Sequence, residues 1–170
     1  MKALVVYYSL TGRARALAQA LAQELGADSG EIRCARYHPG FWVYVKGSYD
    51  SAAGHLPAID GPAGSPSDYD LVVLTGPIWA SHAAPPLRAY LRAQVRGFSN
   101  VAFALTHRGS PPDKALRELQ MLAGVVPTAT LVVRESDIET GAFKRAVAAF
   151  ADALRSQASG GKPPRSSALG

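Results

Sequence analysis

The chain has a single cysteine, Cys34, among its 170 residues. One thiol cannot form an internal disulfide, and a lone cysteine offers no ligand spacing for a metal site. Long apolar runs are lacking as well: residues 71–74 and 101–105 are strand-length, whereas a membrane helix needs roughly 20 apolar residues. The first strand begins almost at Met1, which leaves no room for a signal peptide. We therefore expect a cytoplasmic protein without membrane contact.

Acidic residues are fewer than basic ones, so the formal net charge is +5 and the isoelectric point is near 9.6. Lys162 and Arg165 supply +2 of this charge and leave +3 for the rest of the chain. Compact basic runs with interleaved aromatic residues, which are typical of nucleic-acid binding, do not occur. No group of His, Cys and carboxylate residues has metal-ligand spacing. We therefore expect neither nucleic-acid binding nor a metal site.

Apolar segments of strand length alternate along the chain with segments of helical periodicity. The predicted strands are residues 3–8, 32–37, 70–75, 101–106 and 130–133. The predicted helices are residues 14–25, a segment within 41–49, a helix with Pro86 in its first turn, 112–122 and 141–154. This alternation predicts an α/β domain with a parallel sheet, right-handed crossovers and helices on both faces.

The length fits one domain, which we place at residues 1–155. Residues 156–170 are rich in Gly, Pro and Ser, and we expect this tail to be disordered. In sheets of the predicted kind, ligands bind beyond the carboxyl ends of the strands, at the topological switch point. The loops after the first, third and fourth predicted strands therefore form the candidate site.

Two hydroxyl side chains flank a glycine after the first strand, immediately before the first helix. Ser9, Thr11 and Gly12 can bring hydroxyl and backbone N–H groups to an anion at the positive end of that helix. The same residues are equally typical of an ordinary N-cap and tight turn. Spacing alone leaves both interpretations open.

A tryptophan follows the third predicted strand, which we expect to end at Gly76 and Pro77. In a loop at the carboxyl end of a strand, the indole of Trp79 can stack on a large planar ring. Alternatively, the indole lies over a neighbouring helix. The loop therefore indicates either a ring-binding site or a packing contact.

These loops resemble those of flavodoxin-like proteins. YYSLTGRARALA is similar to the flavodoxin phosphate loop, Ser/Thr-x-Thr-Gly-x-Thr, with Ser9, Thr11 and Gly12 in place and Ala14 at the last Thr. GPIWxxxxAPPLRxYL is similar to a branch with Pro-Ile-Trp at the isoalloxazine ring. The resemblance covers residues 1 to about 155. It implies a three-layer, doubly wound flavodoxin-like fold, a five-stranded parallel sheet of order 2-1-3-4-5, and FMN as cofactor.

The resemblance also implies which residues contact FMN. The phosphate loop would contribute Ser9, Thr11, Gly12, Arg13 and Ala14. The flavin ring would be lined by Pro77, Ile78, Trp79 and Ala80. The third loop, Thr106, His107, Arg108, Gly109 and Ser110, is similar to a Thr-His-Gly-Gly-Ser segment at the pyrimidine side of the ring.

Three of these side chains leave alternatives open. Arg13 either replaces the hydroxyl lost at Ala14 with positive charge or is a solvated helix residue. Arg108 either stabilises reduced, anionic flavin or extends into solvent. His107 either donates to flavin or substrate or has a structural role.

Two other protein classes with related topology do not fit. A receiver domain needs an acidic cluster after the first strand and a phosphorylated Asp after the third, where this chain has Tyr8-Ser9 and Gly76-Pro77. A dinucleotide-binding domain needs Gly-x-Gly-x-x-Gly after the first strand, and only Gly12 is present.

Three functions then remain. The first is an electron carrier that serves redox partner proteins, and the second is an NAD(P)H-dependent reductase of quinones or flavins. Typical carrier flavodoxins are strongly acidic, which this chain is not. The third is a flavin-free interaction module, because Ala14 and Arg108 depart from the family pattern. We place electron transfer first.

Two surfaces are candidates for partner binding. Arg88, Arg92 and Arg96 recur at helical spacing and form either a docking stripe for an acidic partner or a solvated face. The apolar residues 41–45 form either a homodimer interface or part of the core.

Overall fold

The computed structural model describes residues 1–37, 40–62, 64–94 and 97–160, without the side chains of residues 41, 44, 159 and 160. The strands are β1 (Ala3–Tyr7), β2 (Asp28–Glu31), β3 (Leu71–Trp79), β4 (His82–Ala83), β5 (Val101–His107) and β6 (Thr130–Arg134). The helices are α1 (Arg13–Leu25), α2 (Phe41–Ala53), α3 (Pro85–Ala93), α4 (Asp113–Ala123), α5 (Glu135–Thr140) and α6 (Lys144–Gly160). A short 3₁₀ turn spans Pro66–Asp68.

The sheet has the predicted topology. Five parallel strands lie in the order β2-β1-β3-β5-β6, and the two-residue β4 pairs antiparallel with β3. Counting the parallel strands alone, this is the order 2-1-3-4-5. β2 lies on one side of β1 and β3 on the other, so the strand order reverses between β1 and β3, and the loops that follow these two strands meet at this switch point.

Helices cover both faces of the sheet and create two apolar cores. One core joins the sheet to α3 and α4, through buried residues such as Leu87, Leu91 and Leu119. The other joins the sheet to α1 and α6, through Leu17, Leu21, Phe150 and other buried residues. Of the helices in the described ranges, none is long and apolar enough to cross a membrane.

The second strand was predicted at the wrong place. Residues 32–37 carry the apolar signal, but β2 is Asp28–Glu31, which precedes them. β2 lies at the edge of the sheet, and its side chains are exposed or half-buried, so it needs no apolar residues. Ile32 and Tyr37 follow the strand and are buried in the same core as Val43 of α2.

The third strand does not end at Gly76 and Pro77, as the sequence suggested, but continues to Trp79. A Cβ on Gly76 would lie 2.4 Å from Cδ1 of Leu87, so glycine here permits the close approach of α3. Pro77 still pairs with β5, and its carbonyl accepts a hydrogen bond from Ala84 at 3.0 Å. Trp79 is therefore fixed in a strand, not in a loop.

The C-terminal region differs from the prediction at two points. A separate helix, α5, follows β6 directly and is too short, at six residues, to show periodicity. The last helix begins at Lys144 and extends to Gly160, five residues beyond the predicted domain boundary at Arg155. Residues 161–170 lie outside the described part of the chain.

Candidate functional site

The loop between β1 and α1 turns at Gly12. This residue is the N-cap of α1 and has a φ of +88°, which glycine adopts without strain. Its N–H donates to Oγ of Ser9 at 3.0 Å. The cap position provides no side-chain hydrogen bond to α1, and the first turn has no acidic residue. The N–H groups and the helix dipole therefore favour an anion in this loop.

Arg13 links the loop to helix α5. Its Nη2 pairs with Oε1 of Glu139 in α5, and its Nε donates to the same oxygen at 3.1 Å. Its Nη1 also donates to the carbonyl of Thr11 at 3.4 Å. Because Glu139 balances the guanidinium charge, the attraction for an anion rests mainly on the backbone and the hydroxyl groups.

Trp79 lies half-buried between two tyrosines. The ring centroids of Trp79 and Tyr8 are 5.9 Å apart at an interplanar angle of 83°, and those of Trp79 and Tyr37 are 5.3 Å apart at 80°. Edge-to-face pairs of this kind add about 0.5–1.5 kcal/mol each beyond burial. Burial raises the pKa of Tyr8 well above its usual range, so its ring stays neutral. The indole is therefore held in one orientation.

A buried carboxylate anchors one of these tyrosines. Asp50 is 1% exposed and accepts from Nε and Nη2 of Arg36, at 2.7 and 3.1 Å, and from the hydroxyl of Tyr37 at 2.9 Å. Nδ1 of His55 lies 3.1 Å from Oδ1. These hydrogen bonds, with that of Arg36 first, hold the pKa of Asp50 well below its usual range. Asp50 thus fixes Tyr37 and, through it, one edge of Trp79.

Gly47 gives the indole its place beneath α2. A Cβ at this position would lie 2.8 Å from Cε3 of Trp79. We predict that Gly47→Ala displaces the ring and lowers ligand affinity in the cleft, although alanine improves helix propensity by up to about 1 kcal/mol. Gly61→Ala is the matched control, because its Cβ would meet Tyr90 at 3.5 Å, an ordinary contact. Equal ligand affinity in the two variants would contradict this role of Gly47.

The hairpin between β3 and β4 is strained. Ala80 and Ser81 have φ angles of +49° and +64°, and they connect the pair Trp79 and His82. Two positive φ angles define a type I′ turn, which favours Asn-Gly. Non-glycine residues in such turns recur at functional sites.

Matching the turn sequence to its backbone should stabilise the protein. We expect the double change Ala80→Asn with Ser81→Gly to raise the free energy of unfolding in urea by about 1 kcal/mol. Ser99→Gly, at an exposed position without positive φ, serves as the control. It should lower stability by about 0.4–1 kcal/mol, because glycine adds entropy to the unfolded chain. A loss of stability in the double variant would show that the turn is unstrained.

Thr106 ends the buried part of β5 with an unsatisfied hydroxyl. The residue is fully buried, and its Oγ1 has no hydrogen-bond partner among the described residues. Nδ1 of His107 is also buried without such a partner. An unpaired buried polar atom costs about 1–3 kcal/mol, so a ligand beside Thr106 would stabilise its hydroxyl by accepting or donating a hydrogen bond.

Arg108 does not lie over the cleft. Its side chain is 61% exposed, and its Nε donates to Oε2 of Glu135 at 2.8 Å. Glu135 and Glu139 of α5 thus pair with Arg108 and Arg13. This acidic helix was missed in the sequence, where only the carboxylates after β6 could have signalled it.

These elements meet around a narrow cleft, with a cavity volume of about 20 Å³, at the carboxyl edge of the sheet. It is lined by Ser9, Leu10, Thr11, Arg13, Ala14, Pro77, Trp79, Thr106 and Glu135. Seven of these nine residues were predicted, and Leu10 and Glu135 were not. Ile78 is instead buried in the core, because alternate residues of a strand face opposite sides. Gly12, Ala80, Gly109 and Ser110 are near the cleft in sequence but are not among its lining residues.

Both interpretations of the three arginines, a docking stripe and a solvated face, are wrong for Arg88. This residue is 6% exposed; its Nη1 donates to the carbonyl of Ser51 at 2.9 Å, and its Nε lies 3.1 Å from Oε1 of Glu118. Glu118 also accepts from the backbone N–H of Ala83 at 3.3 Å. Arg88 therefore joins α2, α4 and the hairpin in the interior. Arg96 lies outside the described residues.

Solved structures share this architecture. A flavoprotein from Lactobacillus acidophilus, in complex with FMN, has a TM-score of 0.67 at 20% identity, over 82% of this chain and 97% of its own. A flavodoxin from Streptococcus pneumoniae has a TM-score of 0.54 at 15% identity, over 92% and 99%. A WrbA-like flavodoxin from Agrobacterium tumefaciens has 0.53 at 16% identity, over 91% and 98%. No family model and no curated protein matches the chain.

These likenesses show that the chain has a flavodoxin-like fold, as its three loops predicted. At 15–20% identity they establish the architecture and leave the function to the geometry of the site.

Proposed function

We propose that the protein binds FMN in the cleft and transfers electrons between partner proteins. The observation that carries this proposal is the convergence of an uncapped helix end, a fixed indole and the unpaired hydroxyl of Thr106 on one cleft. FMN has a group that matches each feature: its phosphate fits the helix end, its planar ring fits the indole, and the polar edge of the ring fits the hydroxyl. The structural neighbour from L. acidophilus, crystallised with FMN, supports the same ligand.

The residues of the cleft divide the binding among themselves. Ser9, Thr11 and the first turn of α1 would hold the phosphate, and Trp79 would pack against the ring. Thr106 would offer a hydrogen bond at its polar edge. FMN supplies one- and two-electron chemistry when bound, while the protein contributes orientation and electronic tuning.

Thr106→Val tests the hydroxyl directly. Because the hydroxyl has no partner among the described residues, we expect valine to leave the FMN-free protein equally or more stable. Loss of one hydrogen bond of about 1 kcal/mol should weaken FMN binding roughly fivefold. Thr75→Val is the matched control, since Oγ1 of Thr75 is likewise buried without a described partner, but Thr75 does not line the cleft. Equal FMN affinity in both variants would argue against the role of Thr106.

A specific observation supports a reductase as the second candidate. A depression beside the cleft shares Glu135 with it and is lined by His107, Arg108, Arg134, Ser136 and Glu139. It is lined by two arginines and two glutamates, so it offers polar partners without net charge to a second small molecule, such as NAD(P)H.

Steady-state turnover separates the two functions. An electron carrier should show negligible oxidation of NADH or NADPH with a quinone acceptor, and should be reduced only when a separate reductase is added. Rapid turnover by the protein alone would reject the electron-carrier function in favour of the reductase function. A colourless protein that remains colourless after incubation with FMN would leave only the flavin-free interaction module.

A cytoplasmic location and a homodimer remain predictions that fractionation and sedimentation can check.

A further inference from the structure

Helix α2 has two faces of opposite character. Its inner face carries Val43, Gly47 and Asp50, which are buried. Its outer face carries three large apolar side chains at positions i, i+3 and i+7: Trp42, 76% exposed, Val45, 54% exposed, and Tyr49, 66% exposed. A helix that covers a core normally turns its apolar residues inwards. This outer face therefore has the composition of a contact surface.

The charge of the outer face is positive. Residues 41–53 contain only two charged side chains, Lys46 and Asp50. Lys46 is exposed beside Val45, whereas Asp50 is buried and paired with Arg36. With a formal net charge of +5 on the whole chain, the surface favours an acidic partner over a second copy of itself.

The aromatic part of the outer face is fixed from within. The ring of Tyr49 meets His55 edge-to-face, with centroids 6.0 Å apart, and His55 in turn lies 3.1 Å from Asp50. A fixed aromatic side chain loses little conformational entropy on binding, which is typical of an interface anchor.

The outer face also lies close to the cleft. Gly47, on the opposite side of the same helix, packs directly against the indole of Trp79. One helix diameter, about 10 Å, therefore separates a partner on the outer face from the ring that lines the cleft. A redox partner docked here would be near FMN without covering the phosphate loop.

We infer that the outer face of α2, formed by Trp42, Val45, Lys46 and Tyr49, docks an acidic electron-transfer protein. The contact surface of that protein would have an apolar centre and a rim of carboxylates. This inference rests on the proposed electron-transfer function and adds to it the entry point and the charge of the partner.

An acidic [2Fe–2S] ferredoxin is the probe, with basic cytochrome c as the probe of opposite charge. Binding to immobilised ferredoxin is measured by interferometry with both FMN-free and FMN-loaded protein. We expect ferredoxin to bind better than cytochrome c, with an affinity that falls as salt rises. Lys46→Glu, and Val45→Ser combined with Tyr49→Ser, should each weaken ferredoxin binding at least tenfold. FMN titrations of these variants should match that of the native chain.

Met121→Ser with Val126→Ser is the matched control. These residues are 76% and 78% exposed and lie around the C-terminal end of α4, outside the outer face of α2. The control should bind ferredoxin like the native chain. An equal loss in the control, or native affinity in the α2 variants, would overturn the inference, and so would the absence of ferredoxin binding.

Two further outcomes would assign the face to another occupant. A dimer in sedimentation that Tyr49→Ser dissociates would assign it to a second copy, and loss of binding to phosphatidylserine vesicles in the same variant would assign it to a membrane. Failure of the proposed function can be distinguished from failure of this inference. If the protein does not bind FMN, the proposed function fails, whereas the docking surface is still tested by ferredoxin binding to the FMN-free protein.

Discussion

Replacing Trp79 with alanine is expected to raise the dissociation constant for FMN about ten- to a hundredfold. The indole lines the cleft and is held edge-on by Tyr8 and Tyr37, so it offers a preorganised surface to a planar ring. Stacking of a heteroaromatic ring on such a side chain is worth about 1–3 kcal/mol, and each 1.4 kcal/mol changes affinity tenfold. Quenching of FMN fluorescence during titration measures the change.

Trp42 provides the control for this experiment, because it is the other of the two tryptophans and lies on the outer face of α2. Trp42→Ala should leave FMN affinity unchanged, whereas Trp79→Ala should lower it while far-UV circular dichroism remains native. If both variants quench and bind FMN like the native chain, the ring does not pack against Trp79.

Asp50→Asn is expected to lower the free energy of unfolding by about 2–3 kcal/mol at neutral pH. The carboxylate is 1% exposed and is bound by Arg36, Tyr37 and His55. An amide keeps the shape but loses the charge that strengthens these hydrogen bonds. It also presents N–H groups where an acceptor is needed. Urea denaturation at pH 7 measures the loss.

The same variant should show a defined dependence on pH. The pKa of Asp50 is lowered in the folded protein, whereas an unfolded aspartate has a pKa of about 3.9. Its stabilising effect is therefore complete above about pH 5 and is lost as the pH falls below about 4 toward the folded pKa. The stability difference between the native chain and Asp50→Asn should be smaller at about pH 3 than at pH 7.

Asp60→Asn is the control, since Asp60 is an exposed aspartate on a neighbouring segment. Its effect on stability should stay within about 0.5 kcal/mol. A difference for Asp50→Asn that is equally large at low and neutral pH would mean that packing, and not ionisation, explains the loss.

Burial decided which elements could be predicted from the sequence. β1, β3 and β5 are buried on both faces, so their continuous apolar runs are visible without the structure. β2 is an edge strand with a polar sequence. Its position is determined by pairing with β1, and no local sequence pattern reveals that pairing. β3 was cut short because Gly76 and Pro77 look like a strand end. The close approach of Leu87, which requires this glycine, is a tertiary contact.

The site was predictable as three loops but not as a network. Hydroxyl groups, a glycine and a tryptophan after consecutive strands are local signals, and the sheet order brings them together. The contacts that fix Trp79 come from Gly47 and Asp50, in a region where the sequence predicted only a helical segment, and from Tyr37, in a segment predicted as a strand. The pairing of Arg13 and Arg108 with α5 likewise depends on a helix too short to predict.

Calorimetric titration of the FMN-free protein with FMN and with riboflavin tests the central claim most directly, because the two ligands share the ring and differ in the phosphate. The phosphate loop, Trp79 and Thr106 together predict one FMN site with a dissociation constant of about 1 μM or lower. Riboflavin should bind at least about tenfold more weakly, since the charged hydrogen bonds at the end of α1 are lost. Equal affinities for the two ligands, or no heat with FMN, would contradict the account.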